Sequence, residues 1–128
     1  MIGEIARVLR PGGLMFYDTI NRTVVSKIGM IKVMQDWRYT AIMEPDSHVW
    51  DKFIKPQELT VLFERYGLVT REMRGIAPRC GALATLWGFF QHARGKLTIR
   101  ELGRRLDIRE SEHLESSYMG YAMKRIAQ

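Results

Sequence analysis

The chain has 128 residues, enough for one modest domain with a core of its own. A hydrophobic fraction of 46% and a charged fraction of 27% are those of a soluble globular protein, and no apolar run is long enough to span a bilayer. A net charge of +6 favours anionic partners or simply a basic surface, while the single cysteine, Cys80, excludes a disulfide framework and a cysteine-rich zinc site and fits a reducing cytoplasm. Glu4, Arg7 and Arg10 interrupt what would be the apolar segment of a signal peptide.

In chain order, Ile2, Ile5, Ala6, Val8 and Leu9 recur at helical spacing. Pro11-Gly12-Gly13 ends that helix, because proline cannot continue it and glycine accepts turn dihedrals. Leu14 to Tyr17 is a short apolar run that suits a strand covered on both faces, as in a parallel sheet. Such a helix and strand belong deep inside an α/β domain, so the sequence is expected to open in mid-fold. Asp18, Asn21 and Thr23 mark the strand end and the next helix start. Val24 to Tyr39 is mixed, with an apolar stripe of Ile28, Ile31 and Met34, widened by Met30, Val33 and Trp37 and flanked by Lys27, Lys32 and Arg38. Thr40 to Lys55 has no period and reads as a loop or lid carrying His48 and Trp50.

Pro56 suits the first position of a helix whose apolar side is Leu59, Leu62, Phe63 and Tyr66 and whose terminator is Gly67. Leu68 to Ala77 reads as a strand and Ala82 to Ala93 as a helix. Thr98-x-x-Glu101 is a capping box opening a helix through Leu106. Residues 107–116 are charged and read as irregular, and Tyr118 to Ile126 as a final strand. Alternating helices and strands argue an α/β fold. Three strands make a thin sheet with two edges to protect, so partner strands are expected elsewhere.

Arg7-Val8-Leu9-Arg10-Pro11-Gly12-Gly13 before an apolar strand resembles the late half of class I S-adenosylmethionine-dependent methyltransferases, where a similar turn leads into the fifth strand. Thr19-Ile20-Asn21-Arg22-Thr23 resembles the STINRT segment after that strand in the ubiquinone-biosynthesis O-methyltransferases. His48-Val49-Trp50-Asp51-Lys52-Phe53-Ile54-Lys55-Pro56, with Glu58-Leu59, resembles that family's THDWxKFIKPxEL. The resemblance runs from about Gly3 to Gly75, and Tyr118 to Arg125 is similar to the seventh strand. It implies one partial methyltransferase domain over 1–128. Its parts are a helix and central strand (1–23), a lid or membrane-facing segment (24–55), a helix and strand (56–80), a helical insertion (81–116) and a final strand (117–128). The implied fold is α/β, an incomplete Rossmann-like sheet holding the fifth to seventh strands.

The implied chemistry moves a methyl group from the sulfonium of S-adenosylmethionine to a phenolic oxygen on a prenylated ring. A base must take the phenol proton, and imidazole titrates near neutrality, which makes His48 the candidate base. Its alternative role is to hydrogen-bond lid backbone. Asn21 is a substrate-binding candidate because strand carboxyl ends line the ligand crevice in open parallel sheets; its alternative is to cap the next helix. Trp50 and Phe53 could flank an aromatic substrate or pack the lid, and Lys52 could meet an anionic group or be solvated. Residues 24–39 suit an interfacial helix giving peripheral contact with the inner face of a membrane, or a helix packed over the pocket.

The cofactor motifs of the family, an acidic-x-Gly-x-Gly turn and a ribose-binding carboxylate, are not in these residues. Gly12-Gly13 follows a helix and precedes a strand, the reverse of the required order. S-adenosylmethionine is therefore expected to be held by an N-terminal methyltransferase half, in the same or a separate chain, and the chain alone is expected to be inactive. Two other functions are open: methylation of another small molecule, and a non-catalytic basic module binding membrane or DNA. Leu97 to Leu106 resembles the first helix of a helix-turn-helix, but Glu110, Glu112 and Glu115 follow it and would repel phosphate, which argues against nucleic acid.

Overall fold

The computed structural model describes residues 1–44 and 48–126. Pro45, Asp46 and Ser47, within the lid expected over Thr40–Lys55, and Ala127 and Gln128, in the expected final segment, lie outside the described residues. Helix α1 (Ile2–Val8) leads through the Pro-Gly-Gly turn into β1 (Leu14–Ile20), and a single α-turn, α2 (Val24–Ser26), runs into a π-helix (Lys27–Asp36). A 3-10 turn (Trp50–Lys52) precedes α3 (Pro56–Arg65) and β2 (Leu68–Pro78), and α4 (Ala82–Ala93) and α5 (Ile99–Leu106) follow, within the segment read from sequence as a helical insertion. Strands β3 (Ile108–Ser111) and β4 (Ser117–Lys124) complete the described elements.

The fold is α/β, but every neighbouring strand pair is antiparallel, in the order β1-β4-β2-β3. The last strand inserts between the first two. Because β4 runs antiparallel to both, β1 and β2 point the same way without touching. The fourth strand corrects the sequence reading, which had residues 107–116 as irregular: Ile108 to Ser111 pair with Pro78 to Gly75. The expectation that β1 is covered on both faces is also corrected. Met15 and Tyr17 face the core, while Phe16 is 75% exposed and Leu14 46% exposed on the opposite face.

The core lies on one side of the sheet. Ala6 of α1, Leu59 and Phe63 of α3, Leu68, Tyr118 and Ala122 form a buried cluster. Each large apolar side chain fully buried there contributes about 1.5–3 kcal/mol. The Pro-Gly-Gly turn is stitched to the far end of β4: Gly12 N donates to Lys124 O at 2.9 Å and Lys124 N to Gly13 O at 2.9 Å. Gly12 has φ +78°, a left-handed conformation that favours glycine. The Lys124 ammonium donates to the carbonyls of Ala6 and Leu9, closing the end of α1.

A second, smaller core joins Phe89 of α4 with Leu102 and Leu106 of α5, and Val33, Met34 and Ile42 pack on it. This settles which way part of the 24–39 stripe faces: Met34 turns inward, while Ile28 and Trp37 are more than half exposed. The i→i+5 bonding of a π-helix widens each turn, so residues spaced for an α-helical stripe no longer share one face.

Helix α5 starts as its sequence predicts. Thr98 caps it, Glu101 N donates to Thr98 Oγ1, and the Glu101 carboxylate accepts from Thr98 N at 2.7 Å. Those hydrogen bonds to Thr98 hold the Glu101 carboxyl below its ordinary range. A depressed folded value means stability that is present above the unfolded pKa and is lost as pH falls through the folded one. The urea midpoint should therefore fall between pH 6 and pH 3, and Glu101→Gln should flatten that fall. An unchanged pH dependence in the variant would remove the capping box as its source.

Candidate active site

The two sequence segments that flank the expected lid meet at the carboxyl end of β1. Arg22 joins them: its Nη2 donates to Glu58 Oε1 at 2.5 Å and its Nη1 to Phe53 O at 3.4 Å. Trp50 Nε1 donates to Thr23 O at 3.2 Å, and Lys27 Nζ lies 4.5 Å from the centroid of the Trp50 ring. Ile54 N donates to Ile20 O at 3.3 Å, so residues after the 3-10 turn run beside the strand end.

Phe53 is buried, and the half-buried His48 ring stands edge-on to it, with centroids 6.3 Å apart. His48 is anchored from its backbone, where its N–H donates to the buried Gln35 side chain at 2.9 Å. His48, Trp50 and Phe53 therefore form one group with Arg22 and Thr23. Lys52 is exposed on the 3-10 turn and is not among the residues that tie this group together.

Asn21 is only 8% exposed. Its Nδ2 donates to Leu114 O at 2.7 Å and its backbone N–H to Ser116 O at 2.9 Å. A carbonyl partner fixes which end of the amide is the nitrogen. The buried Oδ1 accepts no hydrogen bond from the described residues. The helix cap here is Thr23, in a reciprocal capping box with Ser26. Thr23 Oγ1 also donates to Glu115 O. Asn21 and Thr23 thus clamp the strand end to residues 114–116, just before β4. Asn21→Ala leaves the Leu114 carbonyl without its donor and should cost about 1–3 kcal/mol in urea unfolding. A loss below a few tenths would show the clamp to be idle.

The sequence reading missed Gln35, the Arg22–Glu58 ion pair and the clamp by residues 114–116. Arg22 and Glu58 carry the one usable signal, opposite charges in the two resembling segments. Behind the site, burial pushes the Tyr118 phenol well above its ordinary range, with Tyr17 and Glu58 adding to the shift. Its hydroxyl donates to Ile54 O at 2.9 Å, so it serves as a fixed donor under the site.

The Gly12–Gly13 turn does not fit S-adenosylmethionine. Its Gly12 N–H is used by β4, and the turn lies at the amino end of β1, away from the group around His48.

No family model matches the chain, and no solved structure matches it. Curated relatives do. A ubiquinone biosynthesis O-methyltransferase of Nitrobacter winogradskyi is 38% identical over 76 residues, which is 59% of this chain and 28% of the relative. The mitochondrial enzyme of that name from Dictyostelium discoideum is 33% identical over 76 residues, 59% of this chain and 23% of the relative. The Homo sapiens one is 34% identical over 71 residues, 55% of this chain and 18% of the relative. The chain thus matches less than a third of the length of these relatives. Over the matched stretch it is related to methyltransferases. The relatives it is similar to there are named as ubiquinone biosynthesis O-methyltransferases.

Proposed function

We propose that this chain is the C-terminal, substrate-side portion of an S-adenosylmethionine-dependent O-methyltransferase acting on a phenolic hydroxyl of a polyprenyl benzenoid. The observation that carries the reading is the meeting of the two family-like segments, 19–23 and 48–59, at the carboxyl end of β1. In this reading β1, β2 and β4 are the fifth, sixth and seventh strands of a larger sheet. The common direction of β1 and β2 supports it.

The methyl donor would be held by a separate N-terminal portion. Two features favour such a partner. The outer edge of β1 has no strand beside it among the described residues, and the sheet face with Phe16 and Met119 is uncovered. His48 would take the phenol proton, with Trp50 and Phe53 beside the ring and Asn21 holding the strand end in place. Lys52 would meet the substrate from the exposed turn. A prenyl tail places the substrate in a bilayer, and residues 24–39 would reach it through Ile28 and Trp37.

The chain alone should neither bind S-adenosylmethionine in calorimetry nor transfer a methyl group. Combined with a separately supplied S-adenosylmethionine-binding portion, it should methylate a prenylated catechol. There, His48→Ala should lower kcat by about 10²–10⁴-fold. Tight binding of the cofactor by the chain alone, or a reconstituted His48→Ala enzyme at full rate, would overturn this assignment.

A further inference from the structure

Helix α4, in the insertion, has an outer side that the small core does not use. Leu83 is 84% exposed and Trp87 56% exposed, and Trp87 stacks on Phe90 with centroids 5.4 Å apart. Arg94 at the helix end lies 5.3 Å over the Phe90 ring. Leu83, Trp87, Phe90 and Arg94 follow at intervals of four, three and four residues, one stripe of an α-helix. Across a shallow cavity of about 410 Å³ from Phe90 and Arg94 stand Arg38 and Tyr39, with the Arg38 guanidinium 5.5 Å over the Tyr39 ring.

The charges on this face have one sign. Helix α4 contains no acidic residue. Neither Arg38 nor Arg94 pairs with a carboxylate among the described residues. Both arginines follow helix carboxyl ends, where a cation has some favourable interaction, but each guanidinium keeps its hydrogen-bonding edge open.

We propose that the Leu83–Trp87–Phe90–Arg94 stripe, with Arg38 and Tyr39, docks on the surface of an anionic lipid bilayer. Leucine and tryptophan enter the acyl boundary, tyrosine and tryptophan suit the headgroup level, and the two arginines meet lipid phosphates. A nucleic acid would use the arginines and aromatic rings but has no use for an exposed aliphatic chain such as Leu83. The proposal rests on the membrane contact proposed above and adds to it a second face on α4. It is read by vesicle binding alone, so it can fail while the methyltransferase reading stands, and the reverse.

The full chain is co-sedimented with vesicles of phosphatidylcholine alone and with phosphatidylglycerol added. Binding is expected only to the anionic vesicles, weakening with salt. Arg38→Glu with Arg94→Glu should weaken it at least about tenfold, from the contribution of each basic residue near a charged surface. Leu83→Ser with Trp87→Ser should weaken it while keeping its salt dependence. The same charge change on the exposed face of α5, Arg100→Glu with Arg104→Glu, should leave at least half of the binding, and circular dichroism checks the fold of each variant. Equal binding to both vesicles, equal loss in the α5 variant, or binding of single-stranded RNA without vesicle binding overturns the proposal.

Discussion

Phe63→Ala should lower the free energy of unfolding by about 3–5 kcal/mol, the range for removing an aromatic ring from a closed core. Phe63 is 1% exposed, and its ring meets the edge of Tyr17 with centroids 5.0 Å apart. It sits on α3 and belongs to one buried cluster with Leu68 and Tyr118 of the sheet, so it holds helix to sheet. Alanine removes that contact, and the surrounding strands cannot close over the space because their spacing is fixed by the hydrogen-bond ladder. Domains of this size are stable by only about 5–15 kcal/mol, so the loss is between about a fifth and nearly all of the total. Val61→Ala, on the exposed side of the same helix, should change it by about 0.5 kcal/mol or less. Urea unfolding at neutral pH measures both. A Phe63→Ala loss below about 1 kcal/mol would mean that α3 is not packed on the sheet as described.

Elements with local chemical rules were legible in the sequence. Pro56 opens α3 and Thr98 with Glu101 opens α5, because a fixed φ and a reciprocal cap act within one turn whatever the rest of the fold does. Strand β3 had no such signal. Its residues Ile108, Arg109 and Glu110 are exposed, and what makes them a strand is backbone pairing with Pro78, Ala77 and Ile76. A short charged edge strand has no apolar alternation to read, and the charges themselves guard the edge. The apolar run of β1 suggested burial on both faces, yet a run of large apolar residues records only what a strand can cover. Here α1 and α3 cover one face.

The site was legible in the same uneven way. His48, Trp50, Phe53 and Asn21 lie in segments with a family-like order of residue types, and the fold brings those segments together. The clamp on Asn21 and Thr23 uses the backbone carbonyls of residues 114–116. Backbone acceptors are the same for every residue type, so no sequence pattern marks them. The sequence reading placed a helical insertion over residues 81–116 and found no motif there that points to the site. The far end of that insertion nevertheless holds the end of β1.

On its way to the end of β1 the chain passes Gly75 with the His113 backbone. A Cβ on Gly75 would lie 1.8 Å from His113 O and 2.7 Å from its carbonyl carbon. The chain leaving β3 crosses the core face of β2 at this point, in space that only hydrogen leaves open. Gly75→Ala should therefore cost about 3 kcal/mol or more, since the atoms in the way are backbone and cannot rotate aside. The displacement should also travel. Residues 114–116 follow directly, and Leu114 O and Ser116 O hold Asn21. Hydrogen exchange at the Asn21 amide should quicken in the variant more than exchange at Leu68, whose main-chain partners lie at the other end of β4. Gly29→Ala, whose added Cβ would meet nothing within 4 Å, should be close to neutral or mildly stabilising. If Gly75→Ala matched the wild type in stability and in exchange at Asn21, the crossing at His113 could not be what carries the insertion to the site.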